Sequence, residues 1–136
     1  MTEHLDLSPF TCAVATLKVA LDAYEQDPSN DFVRDACIQR FEYCYDLSTK
    51  FMKRHVSFIS ENPEAICQMS FQELVRTAYT KGLLQHSWDQ WWVYRDQRNI
   101  TSHTYSHQKA VNVVIKLPAF YEELSFFLDK LQAYHA

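Results

Sequence analysis

The sequence has very little glycine and proline. Its 136 residues include one glycine and four prolines, and neither an Asn-Gly nor an Asp-Gly pair occurs. Tight β-hairpin turns depend on such residues, because they need a positive φ that most other residues rarely adopt. The sequence therefore favours long helices joined by a few loops.

Long apolar runs and a basic charge balance are also missing. No segment approaches the roughly 20 apolar residues that cross a bilayer. The first ten residues, MTEHLDLSPF, carry acids and lack the apolar core of a secretion signal. We therefore expect a cytoplasmic protein without a membrane segment. The net charge of −4 disfavours broad nucleic-acid binding but is compatible with a local basic patch.

The four cysteines form no CxxC pair. Cys37 and Cys44 lie seven residues apart on one predicted helix. That spacing corresponds to about 10 Å of rise, which is too far for a disulfide. We expect free, buried thiols in a reducing compartment.

Apolar residues make up 47% of the chain and aromatic residues 15%, which favours a folded domain over disorder. The length fits one domain, residues 1–136. Apolar positions recur at helical spacing and predict helices over about 8–24, 31–58, 71–81, 88–100 and 106–134, with a loop at 60–68. The predicted fold is all-α, an up-and-down bundle of four or five helices.

Capping residues support these boundaries. Ser29 or Asn30 can cap the second helix, and Ser70 with Glu73 forms a capping box before the third. The third helix is expected to end at Gly82, where a left-handed conformation is easiest for glycine. Pro118 should kink the last helix, because its ring clashes with the preceding turn and it donates no hydrogen bond.

Two groups of residues admit both a functional and a structural interpretation. Trp88, Trp91 and Trp92 share one helical face and could stack nucleic-acid bases, but packing into the core or against a second chain is commoner. Near the end of the second helix, four residues could contact phosphate groups: Lys50, Lys53, Arg54 and His55. Complementing the negative end of the helix dipole is the favoured alternative for this second group.

The segment YRDQRNITSHTYSH, residues 94–107, concentrates polar and titratable side chains. His103 and His107 have the spacing of two metal ligands on one helical face, but no third ligand is evident. We expect a surface pair, with neither metal nor cofactor. Arg98 and His103 would lie about 140° apart on an unbroken helix. They can converge if the helix breaks at Thr101 and Ser102, or if a second chain supplies one of them.

The chemistry of an arginine and a histidine suits RNA cleavage without a metal. Histidine can take a proton from a 2′-hydroxyl or give one to a leaving oxygen. The planar fork of arginine suits a phosphate that gains charge in the transition state. A two-fold dimer would double both groups across one cleft. The structural alternative is a capped helix end in which His103 only bonds a backbone carbonyl.

The stretches RFEYCYDLSTKFMKRH, VRTAYTKGLL and WWVYRDQRNITSHTY resemble the nucleotidyltransferase substrate-binding protein family, within the HEPN group of helical bundles. The resemblance implies a homodimer encoded beside a minimal nucleotidyltransferase. Some HEPN proteins are toxin ribonucleases with an R-x4-H-x-Y site at the dimer interface.

By that analogy Arg98 and His103 are catalytic, and the partner enzyme adds AMP to Tyr105 to silence the toxin. Arg95, Asp96 and Asn99 would support the site. The expected function is a metal-independent ribonuclease in a toxin–antitoxin module. The alternative that the resemblance implies is a non-catalytic subunit that binds a nucleotide or other substrate for the nucleotidyltransferase, with Arg98 on a phosphate.

Overall fold

The computed structural model describes residues 4–103, the side chain of His103 excepted, and residues 106–136. These residues form six helices and no strand: α1 (Ser8–Gln26), α2 (Asp31–Ile59), α3 (Pro63–Cys67), α4 (Phe71–Thr80), α5 (Trp88–His103) and α6 (His107–His135). The all-α prediction is confirmed. Helix α2 is central, because it packs against each of the other five.

Most predicted helix boundaries agree with the structure because capping residues set them locally. The Asn30 side chain accepts hydrogen bonds from the backbone N–H groups of Phe32 and Val33 at the start of α2. The Ser70 hydroxyl accepts from the backbone of Glu73 at the start of α4. Gly82 follows that helix with φ of 78°. The loop predicted at 60–68 was wrong in part, since the single turn α3 is too short to produce a periodic pattern.

Helix α5 continues further than predicted. The expected break at Thr101 and Ser102 was wrong, because both residues are helical. Their hydroxyls donate to the backbone carbonyl of Arg98, at 2.8 and 3.1 Å, so the two polar side chains are satisfied without ending the helix. Ser106 then caps α6 by accepting from the backbone of Lys109.

Aromatic rings dominate the core between the long helices. Phe120 of α6 makes edge contacts with Phe41 and Tyr94, each with ring centroids 5.0 Å apart. The buried Cys37 and Cys44 are free thiols that donate to backbone carbonyls of α1, whereas Cys12 and Cys67 are free but exposed. The prediction of free thiols is confirmed, and that of burial holds for two of the four.

Helix α6 runs past Pro118 without interruption, and the kink itself stays a prediction. None of the helices in the described part of the chain is both long and apolar enough to span a bilayer.

A buried carboxylate fixes the start of α5. Glu123 of α6 is fully buried. It accepts hydrogen bonds of 2.8 Å from the backbone N–H groups of Gln85 and His86 and from the indole of Trp91. These bonds hold the loop after α4 against α6 and set where α5 begins.

We expect Glu123→Gln to destabilise the fold by about 2–4 kcal/mol. An amide presents one oxygen where the carboxylate presents two, so at least one of three buried donors loses its acceptor. Chemical denaturation would measure this loss. The exposed neighbour Glu122→Gln is the matched control and should change the free energy of unfolding by less than about 0.5 kcal/mol. Equal stability of both variants would contradict the role assigned to Glu123.

Candidate functional site

Arg98 lies on α5 where this helix passes α2. Its Nε and Nη2 donate to the two carboxylate oxygens of Asp46 at 3.2 and 3.1 Å. Its Nη1 donates to Glu42 and to the hydroxyl of Ser102, both at 2.7 Å. The guanidinium is therefore held in one orientation by two carboxylates and a hydroxyl. We call Arg98, Glu42, Asp46 and Ser102 the Arg98 cluster.

The Arg98 cluster is accessible to solvent. The Arg98 side chain is 23% exposed, Glu42 31% and Asp46 60%. A guanidinium has five N–H groups, and four donate to described side chains, which leaves one on Nη2 without an acceptor among the described residues. The hydrogen-bonded Asp46 carboxylate raises the pKa of Arg98 above its ordinary value. The cluster thus presents a fixed, permanently charged group at the surface.

Sequence reasoning missed Glu42 and Asp46. They lie more than 50 residues before Arg98, and only packing of α5 on α2 brings the three together. A weak signal was available, since the two acids have i,i+4 spacing and so share one helical face. That pattern is common on solvated helices and does not point to a partner.

Tyr45 is a core residue close to the charges of the Arg98 cluster. Its ring lies 6.2 Å from Phe71 and 6.4 Å from Trp91, and the residue is 9% exposed. Burial raises the pKa of Tyr45 to about 12, although the nearby charges of Arg95 and Arg98 favour its ionised form. The phenol is therefore neutral at pH 7.

The other predicted site residues are less closely associated with the Arg98 cluster. Arg95 and Asn99 are exposed on α5, and Asp96 is half-buried. Among the described side chains, none of these three is hydrogen-bonded to the Arg98 cluster. His103 is the last residue of α5, and Tyr105 lies outside the described residues.

The continuous helix between Arg98 and His103 has a geometric consequence. Five residues at 100° each place their backbone positions about 140° apart around the axis and about 7.5 Å apart along it. Because α5 is continuous over these residues, the predicted convergence of Arg98 and His103 at a helix break within one chain was wrong.

Comparison with known proteins identifies the fold and the family. Residues 5–133 match the profile described as nucleotidyltransferase substrate binding protein like. The chain belongs to this family. It is 34% identical to a Haemophilus influenzae protein named probable ribonuclease HepT, over 97% of this chain and 95% of that protein.

A solved Haemophilus influenzae structure, described as the fold of a substrate-binding domain of a nucleotidyltransferase, superposes on this chain with a TM-score of 0.86. It shares 32% identity and covers 93% of this chain and 99% of that one.

In this member of the substrate-binding family, the two histidines considered as metal ligands lie on different helices. His103 ends α5 and His107 begins α6, so the shared helical face was wrong. The Nδ1 of His107 lies 2.7 Å from Nη1 of Arg34, which can only donate, so this nitrogen is the acceptor. Among the described residues, no group of three side chains could hold a metal ion.

The three tryptophans of α5 differ in environment. Trp91 is fully buried, and Trp88 is partly buried against Phe71. Trp92 is 54% exposed. Core packing, the favoured interpretation, is therefore confirmed for two of the three.

The residues of the predicted basic group on α2 also differ in environment. His55 is buried, with its Nδ1 2.9 Å from Nε2 of His135. Burial, together with the neighbouring His135, lowers the pKa of His55 to about 4, so the ring is neutral at pH 7 and does not belong to a phosphate-contacting surface. The helix-dipole interpretation was wrong as well. Helix α2 extends to Ile59 with no basic residue in its last turn, and the dipole effect falls off within that turn.

Proposed function

We propose that this chain is a metal-independent ribonuclease that acts as a homodimer and is silenced by a nucleotidyltransferase partner in a toxin–antitoxin module. The observation that carries the proposal is the oriented, partly exposed Arg98 guanidinium five residues before His103. The 34% identity to a protein named probable ribonuclease HepT supports it.

The proposed reaction transfers the scissile phosphate to the neighbouring 2′-oxygen. His103 removes the proton of the 2′-hydroxyl, and this oxygen attacks the phosphorus. The bond from phosphorus to the 5′-oxygen breaks, and a protonated histidine supplies the proton that this leaving oxygen needs. The products are a 2′,3′-cyclic phosphate and a 5′-hydroxyl. Arg98 stabilises the charge that the phosphate oxygens gain.

Asp46 and Glu42 have a positioning role in this proposal. They hold the guanidinium in place, so that the packing of α5 on α2 fixes the direction of the remaining Nη2 N–H. A positioned donor needs little reorganisation during the reaction. Substrate phosphate can also compete for the donors that now face Asp46, which is the more exposed of the two acids.

Two copies of the chain are needed for a complete site. The 140° separation keeps Arg98 and His103 of one α5 from facing the same phosphate. A two-fold axis near the end of α5 would place Arg98 of each copy opposite His103 of the other, so that the dimer has two such pairs. Arg95, Asp96 and Asn99 would then line the rim of this cleft.

The proposed regulation uses Tyr105. Its hydroxyl attacks the α-phosphorus of ATP in the partner nucleotidyltransferase, pyrophosphate leaves, and AMP remains on the phenol oxygen. The added group carries a negative charge and occupies the position of the RNA, so cleavage stops.

One observation favours a second candidate function, a subunit that only binds a nucleotide or acceptor for the nucleotidyltransferase. Four of the five N–H groups of Arg98 already have protein acceptors, which is an arrangement for orienting a ligand as much as for catalysis.

A cleavage assay in EDTA separates the two functions. We expect the purified chain to cut single-stranded RNA without added metal and His103→Ala to lower the rate by roughly 10²–10⁴-fold, since it removes the acid–base group. Expressed without the partner, wild type should arrest growth and His103→Ala should not. If neither protein cuts RNA and both bind a nucleotide equally in calorimetry, the ribonuclease function is excluded and the binding function remains.

A further inference from the structure

A basic surface on α2 has no role in the proposed cleavage site. Lys50, Lys53 and Arg54 are exposed and line an open groove of about 590 Å³, with Ser57 and Phe58 beside them. No acidic residue occurs between Asp46 and Glu61. We call Lys50, Lys53 and Arg54 the basic patch. It is a local excess of positive charge on a chain whose net charge is −4.

Neither the helix dipole nor ion pairing accounts for the basic patch, although the Arg54 guanidinium also lies over the Phe51 ring, 5.9 Å from its centroid. Its residues lie more than one turn before the end of α2, so they do not complement the helix dipole. Within the described part of the chain, no carboxylate lies within ion-pair distance of them. Three like charges this close repel one another, which stabilises nothing unless an anion binds.

The basic patch is aligned with the Arg98 cluster along a single helix. Lys50 and Lys53 lie four and seven residues after Asp46, and their directions from the axis differ from that of Asp46 by about 40° and 20°. The rise from Asp46 is about 6 Å to Lys50 and about 12 Å to Arg54. The patch therefore continues the surface on which Arg98 is held.

An exposed aromatic ring lies on the same face. Tyr43 is 56% exposed, and it precedes Lys50 by seven residues, which brings the two directions within about 20°. Along the helix axis Tyr43 lies about 4.5 Å before Asp46, so the acids of the Arg98 cluster separate this residue from the patch. Proteins that bind single-stranded nucleic acid combine such cations, which track the phosphates, with aromatic rings on which bases stack.

We propose that single-stranded RNA crosses the Arg98 cluster along α2, with a base on Tyr43 before Asp46 and successive phosphates on Lys50, Lys53 and Arg54 after it. This inference rests on the proposed function, because it takes RNA as the substrate. The patch and Tyr43 contribute affinity and register, while the chemistry stays at Arg98 and His103.

The test measures binding separately from cleavage. A fluorescent 2′-O-methyl RNA oligonucleotide, long enough to span both surfaces, cannot form a cyclic phosphate and so reports affinity alone. The variant Lys50→Gln/Lys53→Gln/Arg54→Gln should lower affinity roughly tenfold or more at low salt. It should also reduce the slope of log affinity against log salt by about 2, since each phosphate contact on a single strand contributes about 0.7.

A matched control removes the same charge elsewhere. Arg76→Gln/Lys81→Gln/Lys116→Gln changes one arginine and two lysines that are exposed on other elements. It should leave affinity within about twofold and the salt slope unchanged. Tyr43→Ala should weaken binding roughly tenfold, and Tyr79→Ala, which removes another exposed tyrosine, should not. Circular dichroism verifies that each variant remains helical. The single variant Lys53→Gln tests the same inference and should show a smaller change in the salt slope.

Three results would overturn the inference: unchanged affinity and slope in the patch variant, equal losses in the patch and control variants, or patch-dependent binding to phosphatidylserine vesicles without binding to the oligonucleotide. If RNA cleavage depends on His103 while the patch variant binds normally, this inference fails alone. If the oligonucleotide binds through the patch and no cleavage occurs, the ribonuclease function fails and the binding surface stands.

Discussion

Mixing the Arg98→Ala and His103→Ala variants should restore RNA cleavage that neither variant performs alone. In a mixed dimer, one cleft combines both substitutions, whereas the other combines the intact Arg98 of one chain with the intact His103 of its partner. Random exchange makes about half of the dimers mixed, each with one complete site of two, so we expect about a quarter of the wild-type activity. Against a loss of roughly 10²–10⁴-fold in each variant, this recovery is large.

Separate affinity tags on the two variants allow the mixed dimer to be purified and its cleavage rate measured. As a control, the double variant Arg98→Ala/His103→Ala carries one tag and is paired with either single variant. Neither of these mixed dimers contains a complete cleft. Purified mixed dimers that stay inactive would refute the shared cleft. A verified monomer that still cleaves would refute it as well, because the α5 geometry separates the two groups in one chain by about 140°.

Arg98→Lys should lower the cleavage rate nearly as far as Arg98→Ala, by roughly 10²–10³-fold. An ammonium keeps the charge but not the planar fork that meets both oxygens of Asp46 while a further nitrogen contacts Glu42. A lysine that pairs with one of the two acids leaves the other without its ion-pair partner. The N–H donor that faces the phosphate is then no longer held in one orientation. The loss should appear in the maximal rate more than in the substrate concentration at half rate.

Arg76→Lys is the matched control, since this arginine is exposed on α4 and is not hydrogen-bonded to the Arg98 cluster within the described residues. It should retain cleavage within about threefold. Full activity of Arg98→Lys would contradict the role of the oriented fork. Thermal unfolding of the lysine variant should shift only slightly, because a partly exposed ion pair contributes about 1 kcal/mol or less.

Local sequence signals predicted most of the fold. Asn30, Ser70 and Gly82 act on groups within one turn of themselves, so their effects can be read without the rest of the chain. The short α3 was missed because five residues cannot display a helical period. The break at Thr101 and Ser102 was wrong for a related reason. A hydroxyl that can cap a helix can also bond the carbonyl one turn back, and propensity does not distinguish the two.

The sequence by itself determined the all-α class, five of the six helices to within a few residues, and the segment that carries Arg98 and His103, because periodicity and capping are properties of neighbouring residues. Only the tertiary structure decided which acids hold Arg98, that His55 is buried away from the basic patch, and that this patch continues the surface of the cluster. Those relations join residues far apart in the chain, and they arise from the way α5 and α6 pack on α2.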